Sequence, residues 1–127
     1  MQVELLAALF EQAPDALVYC DLDGRVRLWN AAAAALFGHS AATALGQSLD
    51  MIIPERFRAA HWAGFHHAVA TGEEKYRGRV MTTRAVHADG GKCYVDMGFA
   101  LIRDDAGAVQ GVLAVVRPNA ARNAAAS

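Results

Sequence analysis

The sequence predicts an α+β domain: one antiparallel sheet with helices over one face and a helix at the N-terminus. Three observations lead there. Apolar residues recur at helical spacing before residue 14 and between residues 31 and 71, but with a period of two in the runs between and after them. Asp-Gly turns at Asp23–Gly24 and Asp89–Gly90 separate β-favouring runs, so the flanking strands are hairpins. The 127 residues are 54% hydrophobic and 20% charged, enough for one core of ordinary domain size.

Each element follows in turn. Leu5, Leu6, Leu9 and Phe10 form one stripe, predicting an amphipathic helix over residues 2–13 that Pro14 ends. Such a stripe can pair with its copy in a second chain. ALVYCD (16–21) and RVRLW (25–29) are strands on either side of LDG. Asn30 caps the alanine-rich helix that follows, because its side chain accepts bonds from the first unpaired amides. Gly38 closes that helix. Ser40 opens a short helical turn and Gly46 stops it. LDMII runs into Pro54, which suits the first turn of a longer helix reaching Thr71, with Gly72 just past its end.

After Gly72 the period changes. YRGRVMTTRAVH (76–87) is a strand, ADGG a turn, and KCYVDMGFALI (92–102) a long strand. Cys93, Val95, Met97, Phe99 and Leu101 share one face of it, since successive side chains alternate. RDDAGA turns into the last strand, VQGVLAVV (109–116). The chain divides into a cap helix (1–13), a core (14–117) and a linker or frayed tail (118–127). A helical excursion closing over a sheet leaves a concave space suited to a small ligand.

Composition removes several function classes. Twelve basic against thirteen acidic residues give a formal charge of −1, without the basic footprint of a nucleic-acid binder. Cys20 and Cys93 stand far apart with no CxxC, which argues against a disulfide scaffold or a zinc site; both read as small buried hydrophobes. MQVELLAALFEQAP has no basic n-region, and its apolar run is too short to span a membrane, so a cytoplasmic location is expected. No Ser/His/Asp ordering, phosphate loop or carboxylate pair stands out, so the expected function is not enzymatic.

RFRAAHWAGFHHAVATG (56–72) carries three histidines on one helix. With helical geometry, Phe57, Gly64, Phe65 and Ala68 lie within about 60° of His61, while His66 and His67 point to the flanks. That apolar stripe should face the sheet with His61 in its middle. A buried neutral imidazole needs partners for both ring nitrogens, and these are either neighbouring polar groups or a metal. Glycine within a helix costs about 1 kcal/mol relative to alanine, so Gly64 suggests close approach of a ligand or a backbone. His39 and His87 sit at turn and strand-end positions exposed to solvent. Trp29 and Trp62 read as core or interface aromatics.

APDALVYCDLDGRVRLWNAAAAALFGHSAATALGQSLDMIIPE resembles the first half of a PAS sensor domain. The shared features are the A-P-D-A opening, the D-x-D-G hairpin, W-N before a helix, F-G-x-S, and G-Q-S-L before I-P. The second half fits as well, with T-G before a strand and a D-G turn between long strands, so the resemblance covers residues 8–117. It implies a five-stranded antiparallel sheet in the order 2-1-5-4-3 and a sensory or protein-interaction role upstream of an effector. No effector is seen, so the chain looks like an excised module. The exit departs from the family: many relatives leave the last strand through Asp-Ile-Thr, whereas Val116 is followed here by Arg117, Pro118 and Asn119.

HWAGFHHAVATG is similar to the corresponding stretch of the rhizobial oxygen-sensing kinases, members of the haem-binding PAS subgroup. The interval from His61 to Asp89 matches them without a gap. The resemblance implies haem b with His61 as proximal iron ligand, Met81 in the distal position, and His67 and Lys75 near the propionates. It implies sensing of oxygen, carbon monoxide or redox state, because a weak thioether opposite imidazole yields to a diatomic gas. Such a ligand exchange would give a two-state signal.

The residue pattern leaves the distal side open. In a strand over 76–87, Met81 shares its face with Arg77, Arg79 and Thr83, while Tyr76, Val80 and Val86 form the more apolar face. A bulge would have to turn Met81 inward. Met97, beside Phe99 on the apolar face of the next strand, is the second candidate, and a Cys93 thiolate the third. Filling the core is the commoner use of methionine. The alternative function is a PAS module that binds another apolar molecule, or none, and relays signals as a homodimer through its N-terminal helix. The Asn-Cys flavin-adduct motif of light-sensing relatives is missing, which argues against flavin photochemistry.

Overall fold

A computed structural model describes residues 2–75 and 77–126. Five strands, β1 (Ala16–Asp21), β2 (Val26–Trp29), β3 (Met81–Val86), β4 (Lys92–Arg103) and β5 (Val109–Pro118), form one antiparallel sheet in the order β2-β1-β5-β4-β3. The helices are α1 (Val3–Gln12), α2 (Ala31–Phe37), α3 (Ala41–Ala44), α4 (Arg58–Thr71) and α5 (Ala120–Ala126). Two 3-10 turns, Leu49–Ile52 and Glu55–Phe57, lead into α4. Pro54 therefore precedes a 3-10 turn, and the α-helix starts only at Arg58.

β1 shows why the order arises. Ala16, Val18 and Cys20 are 2% exposed and alternate with half-buried neighbours, so β1 needs partners on both edges and cover on its inner face. It pairs with β2 through Val18↔Trp29 and with β5 through Ala16↔Val116 and Val18↔Ala114. β5 continues the inner row into β4, where Val116 faces Met97, and β4 passes it to β3, where Met97 faces Met81. Directly opposed residues share a sheet face. The inner row is therefore Ala16, Val116, Met97, Met81.

Asn30 does far more than cap a helix. It is 1% exposed, and its Oδ1 accepts from the N–H of Ala33 and of Leu17, at 3.0 and 2.9 Å. Its Nδ2 donates to the carbonyls of Phe10 and Asp15, each at 3.0 Å. One amide thus joins the end of α1, the start of β1 and the first turn of α2. Trp29 beside it donates from its indole N–H to the His39 carbonyl at 2.9 Å. Gly38 and Gly72 close α2 and α4 in left-handed conformations, φ 79 and 72, which alanine would resist.

Two expectations are corrected. β3 begins at Met81, not 76; Tyr76 lies outside the described residues. Arg77 donates its backbone N–H to the Glu74 carbonyl, and Gly78 turns left-handed at φ 72. The Leu101 N–H, which a longer β3 would have engaged, donates instead to Glu74 Oε1 at 2.7 Å. The second correction concerns the tail, which is helix α5. Asn119 Oδ1 accepts from the Arg122 N–H at 2.9 Å and so caps it. The Asn123 amide takes the Tyr94 N–H at 2.7 Å and gives to the Tyr94 carbonyl at 3.0 Å, docking α5 on β4 as a strand would. α1 has no buried residue, and Leu5, Leu6 and Leu9 are about half-exposed.

Candidate functional site

The site is built from α4 and the inner face of β3 and β4. Phe65 is the one fully buried residue of α4, with Arg58, His61, Trp62, Ala68 and Val69 half-buried. The buried stripe therefore runs through Trp62, Phe65 and Val69, not along the His61–Gly64 side. Gly64 is exposed, and a Cβ placed on it meets nothing within 4 Å, which corrects the expectation that it clears space on the sheet-facing stripe. Bulk decides the rotation: burying an indole and a valine removes more apolar surface from water than burying a glycine.

His61 lies at the edge of this stripe. Its ring meets Trp62 edge-on, centroids 4.6 Å apart, and Phe65 at 6.1 Å. Its Nδ1 is the one buried side-chain nitrogen or oxygen without a hydrogen-bond partner among the described residues. Burial holds the imidazole below the ordinary histidine range; the Asp50 carboxylate opposes that shift and His66 adds to it. The result is a neutral ring with one buried nitrogen left unpaired.

On the inner face of the sheet, Met81 and Met97 are directly paired on β3 and β4, and Met97 packs on the same core cluster as Trp62, Phe65 and Val69. They occupy the inner face without a bulge, since Ala85 on the same parity is 4% exposed whereas Val80 is 69% exposed. That overturns the alternation argument against Met81. The strand start expected at residue 76 does not form, and the partner Val95, fully buried opposite Thr83, fixes the true inner face. Both methionines are half-buried. Phe99 is 37% exposed and Leu101 half-buried on the same side of β4.

The other expected residues spread outward. Phe57 is half-buried under the Arg56 guanidinium, 4.6 Å from its ring. His66 and His67 are exposed, with His67 Nε2 at 3.9 Å from Glu73. Lys75 is exposed and lines an open cleft of about 660 Å3 with Glu74, Leu101 and Arg103. A second cleft, about 280 Å3, opens at Phe99, Val80 and Gly98. Neither includes His61 or Met81. Cys93 is half-buried and its thiol is pushed up by burial, which disfavours a thiolate ligand.

Among the described residues no three His, Cys, Asp or Glu groups converge to hold a metal ion. A bare ion would find no chelating cluster, whereas an iron already held in a porphyrin needs only axial donors. One imidazole with an unpaired nitrogen and two thioethers on the inner sheet face are donors of that kind. Sequence reasoning missed Asp50, Arg58 and Gly24, which hold α4 in place; the only local signal was a tryptophan next to His61.

A family model described as the PAS fold matches residues 10–124. The chain is 33% identical over 84 residues to an uncharacterized protein of Azorhizobium caulinodans, covering 65% of this chain. It is 36% identical over 56 residues to the sensor protein FixL of Bradyrhizobium diazoefficiens, covering 44% of this chain. It spans 11% of the length of each of these relatives. Among solved structures it is similar to the PAS domain of a Colwellia psychrerythraea protein, with TM-score 0.78 and 24% identity over 91% of this chain and 95% of that one. It is also similar to an RNA-binding light-oxygen-voltage receptor, with TM-score 0.75 and 20% identity over 94% of this chain and 33% of that one. At these identities the structural likeness speaks for the fold. Among the described residues no helix is long and apolar enough to cross a membrane.

Proposed function

This chain belongs to the PAS family of sensory domains, and from that premise we propose that it binds haem b through His61 and senses a diatomic gas, oxygen or carbon monoxide, or redox state. The observation that carries the reading is the buried, unpaired Nδ1 of a neutral His61. The partial match to a rhizobial sensor protein supports it, as does the gapless resemblance from His61 to Asp89.

In this reading His61 would hold the haem iron and Met81 would be the second donor, with Met97 able to stand in for it from the adjacent strand. Haem, when bound, supplies the iron that takes up a gas or an electron. Phe57, Phe65 and Phe99 would offer apolar walls, and His67 and Lys75 would be basic groups suited to propionates, whereas Gly64, exposed and off the buried stripe, has no part in it. A thioether is a weak donor, so a change at the Met81 side chain would be a small local event on β3. β3 passes it outward: the Arg84 guanidinium packs on the Tyr94 ring at 4.8 Å and donates to its hydroxyl at 2.9 Å. Arg122 of α5 packs on the same ring at 4.6 Å. Tyr94 thereby links the distal strand to the C-terminal helix and any effector beyond it. The reading contains no catalytic step, so the domain is a sensor and not an enzyme, acting in the cytoplasm.

The test is an absorption spectrum of protein purified with haem supplied. A Soret band above the apo control that disappears in His61→Ala is the expected result, while Met81→Ala keeps haem and changes the reduced-state bands. A second reading is a relay module that pairs as a homodimer through α1, with or without another apolar ligand. The half-exposed Leu5, Leu6 and Leu9 favour it, and monomeric behaviour with and without haem would count against it.

A further inference from the structure

Among the described residues the His61 Nδ1 has no hydrogen-bond partner, so the ring's direction depends on its walls. The nearest wall is Trp62, edge-on at 4.6 Å and 80° between planes. Trp62 is itself fixed at two points. Its indole N–H donates to Asp50 Oδ1 at 2.7 Å. The far edge of the indole lies over Gly24 in the β1–β2 turn, where an added Cβ would overlap the ring atoms Cη2 and Cζ3. Gly24 is buried and its φ is 77, so glycine is required there for both backbone and space.

The same 3-10 turn holds the helix at a second place. Arg58 donates from Nη2 to the Asp50 carbonyl and from Nε to the Ile53 carbonyl, each at 3.1 Å. Ala59, Ala63 and Gly64 are exposed, and α4 is held through Arg58, Trp62, Phe65 and Val69, with the Gly72 carbonyl past its end taking a bond from Arg103 Nη2 at 2.8 Å.

We propose that Trp62, latched to Asp50 and seated on Gly24, is the positioning residue that aims the His61 imidazole into the site. The assignment of what is aimed rests on reading His61 as the ligand-holding side chain; the latch itself belongs to the ligand-free protein. A metal-bound histidine is normally oriented by a bond from its second nitrogen to a carboxylate or carbonyl. Here an aromatic wall, locked from outside by a carboxylate, does that work.

Aromatic NMR of the ligand-free protein tests it with three variants. Asp50→Ala removes the acceptor, Asp50→Asn keeps a carbonyl acceptor, and Trp62→Phe keeps a ring but removes the donor. The expected result is that Asp50→Ala and Trp62→Phe lose the His61–Phe65 contact signals and show more than one His61 conformer, while Asp50→Asn matches wild type. The Trp29 indole signal, from a bond elsewhere in the core, reports that each variant is folded. A folded Trp62→Phe or Asp50→Ala that keeps the wild-type His61 pattern overturns the latch. Loaded with haem, those two variants should bind it roughly ten-fold more weakly than wild type and Asp50→Asn. If wild type gives no Soret band, the haem reading fails while the NMR comparison still decides the latch.

Discussion

Residues 16–52 and residues 58–118 share one fold but are packed in different ways. Among the described residues, ten of the fourteen buried apolar side chains lie between Ala16 and Ile52, and the later region supplies Phe65, Ala85, Val95 and Val116. The polar groups differ as well. In the first region Asn30 has four partners and the Trp29 indole has one, whereas in the second the His61 Nδ1 has none. Apolar side chains face solvent in both regions, Leu22, Leu28 and Leu45 in the first and Val80 and Phe99 in the second, so the difference lies in the buried residues and their polar partners. The contrast separates two tasks. Satisfied buried polar groups specify and rigidify the frame, and the half-open region with an unpaired nitrogen is where the proposed ligand would complete the packing.

Asn30→Ala is the strongest way to break the comparison. It strands two N–H groups and two carbonyls at once, so a loss of about 3–5 kcal/mol in unfolding free energy is expected by urea titration. A loss no greater than an ordinary surface change would show that the frame does not depend on that amide.

His61→Ala should behave in the opposite way. Removing the ring also removes its unpaired nitrogen, so unfolding free energy should change by less than about 1 kcal/mol. If His61→Ala proves as damaging as Asn30→Ala, then His61 is a structural residue and the two regions are alike.

Met81→Ala sharpens the boundary. Full burial of a methionine makes its truncation cost about 2–5 kcal/mol, and the half-buried Met81 should fall below that range. A cost at the top of the range would place Met81 in the closed core.

The smallest effect concerns the two thiols. Cys20 is 2% exposed, its Sγ points to the Val112 carbonyl at 3.7 Å, and burial pushes its pKa up to about 11. Cys93 is only half-buried. Native-state alkylation at mildly alkaline pH should label Cys93 first and Cys20 only on unfolding, as read by mass spectrometry. Equal labelling of both would mean that the frame opens as easily as the site.

Local signals carried much of this into the sequence. Asn30, Gly38 and Gly72 end helices by chemistry within a few residues, and the alternation over 92–102 reports a strand whose inner face is set by its own pattern. What failed to show depended on distant partners. The start of β3 is decided by Glu74 taking the Leu101 N–H. The inward face of Met81 follows from its pairing with Met97, and α5 exists because Asn123 reaches Tyr94. The rotation of α4 follows from Trp62 reaching Asp50 and Gly24. Helical periodicity alone could centre the stripe on His61, because it weighs neither the size of an indole nor what lies opposite it.

The central claim is that the unpaired imidazole of His61 is there to hold a metal-bearing ligand. Absorption-monitored haem titration of the purified chain and of its His61→Ala variant tests this most directly. A saturable Soret band in wild type that is lost in His61→Ala is predicted. No band above the apo control, or a band that His61→Ala leaves unchanged, would contradict the account.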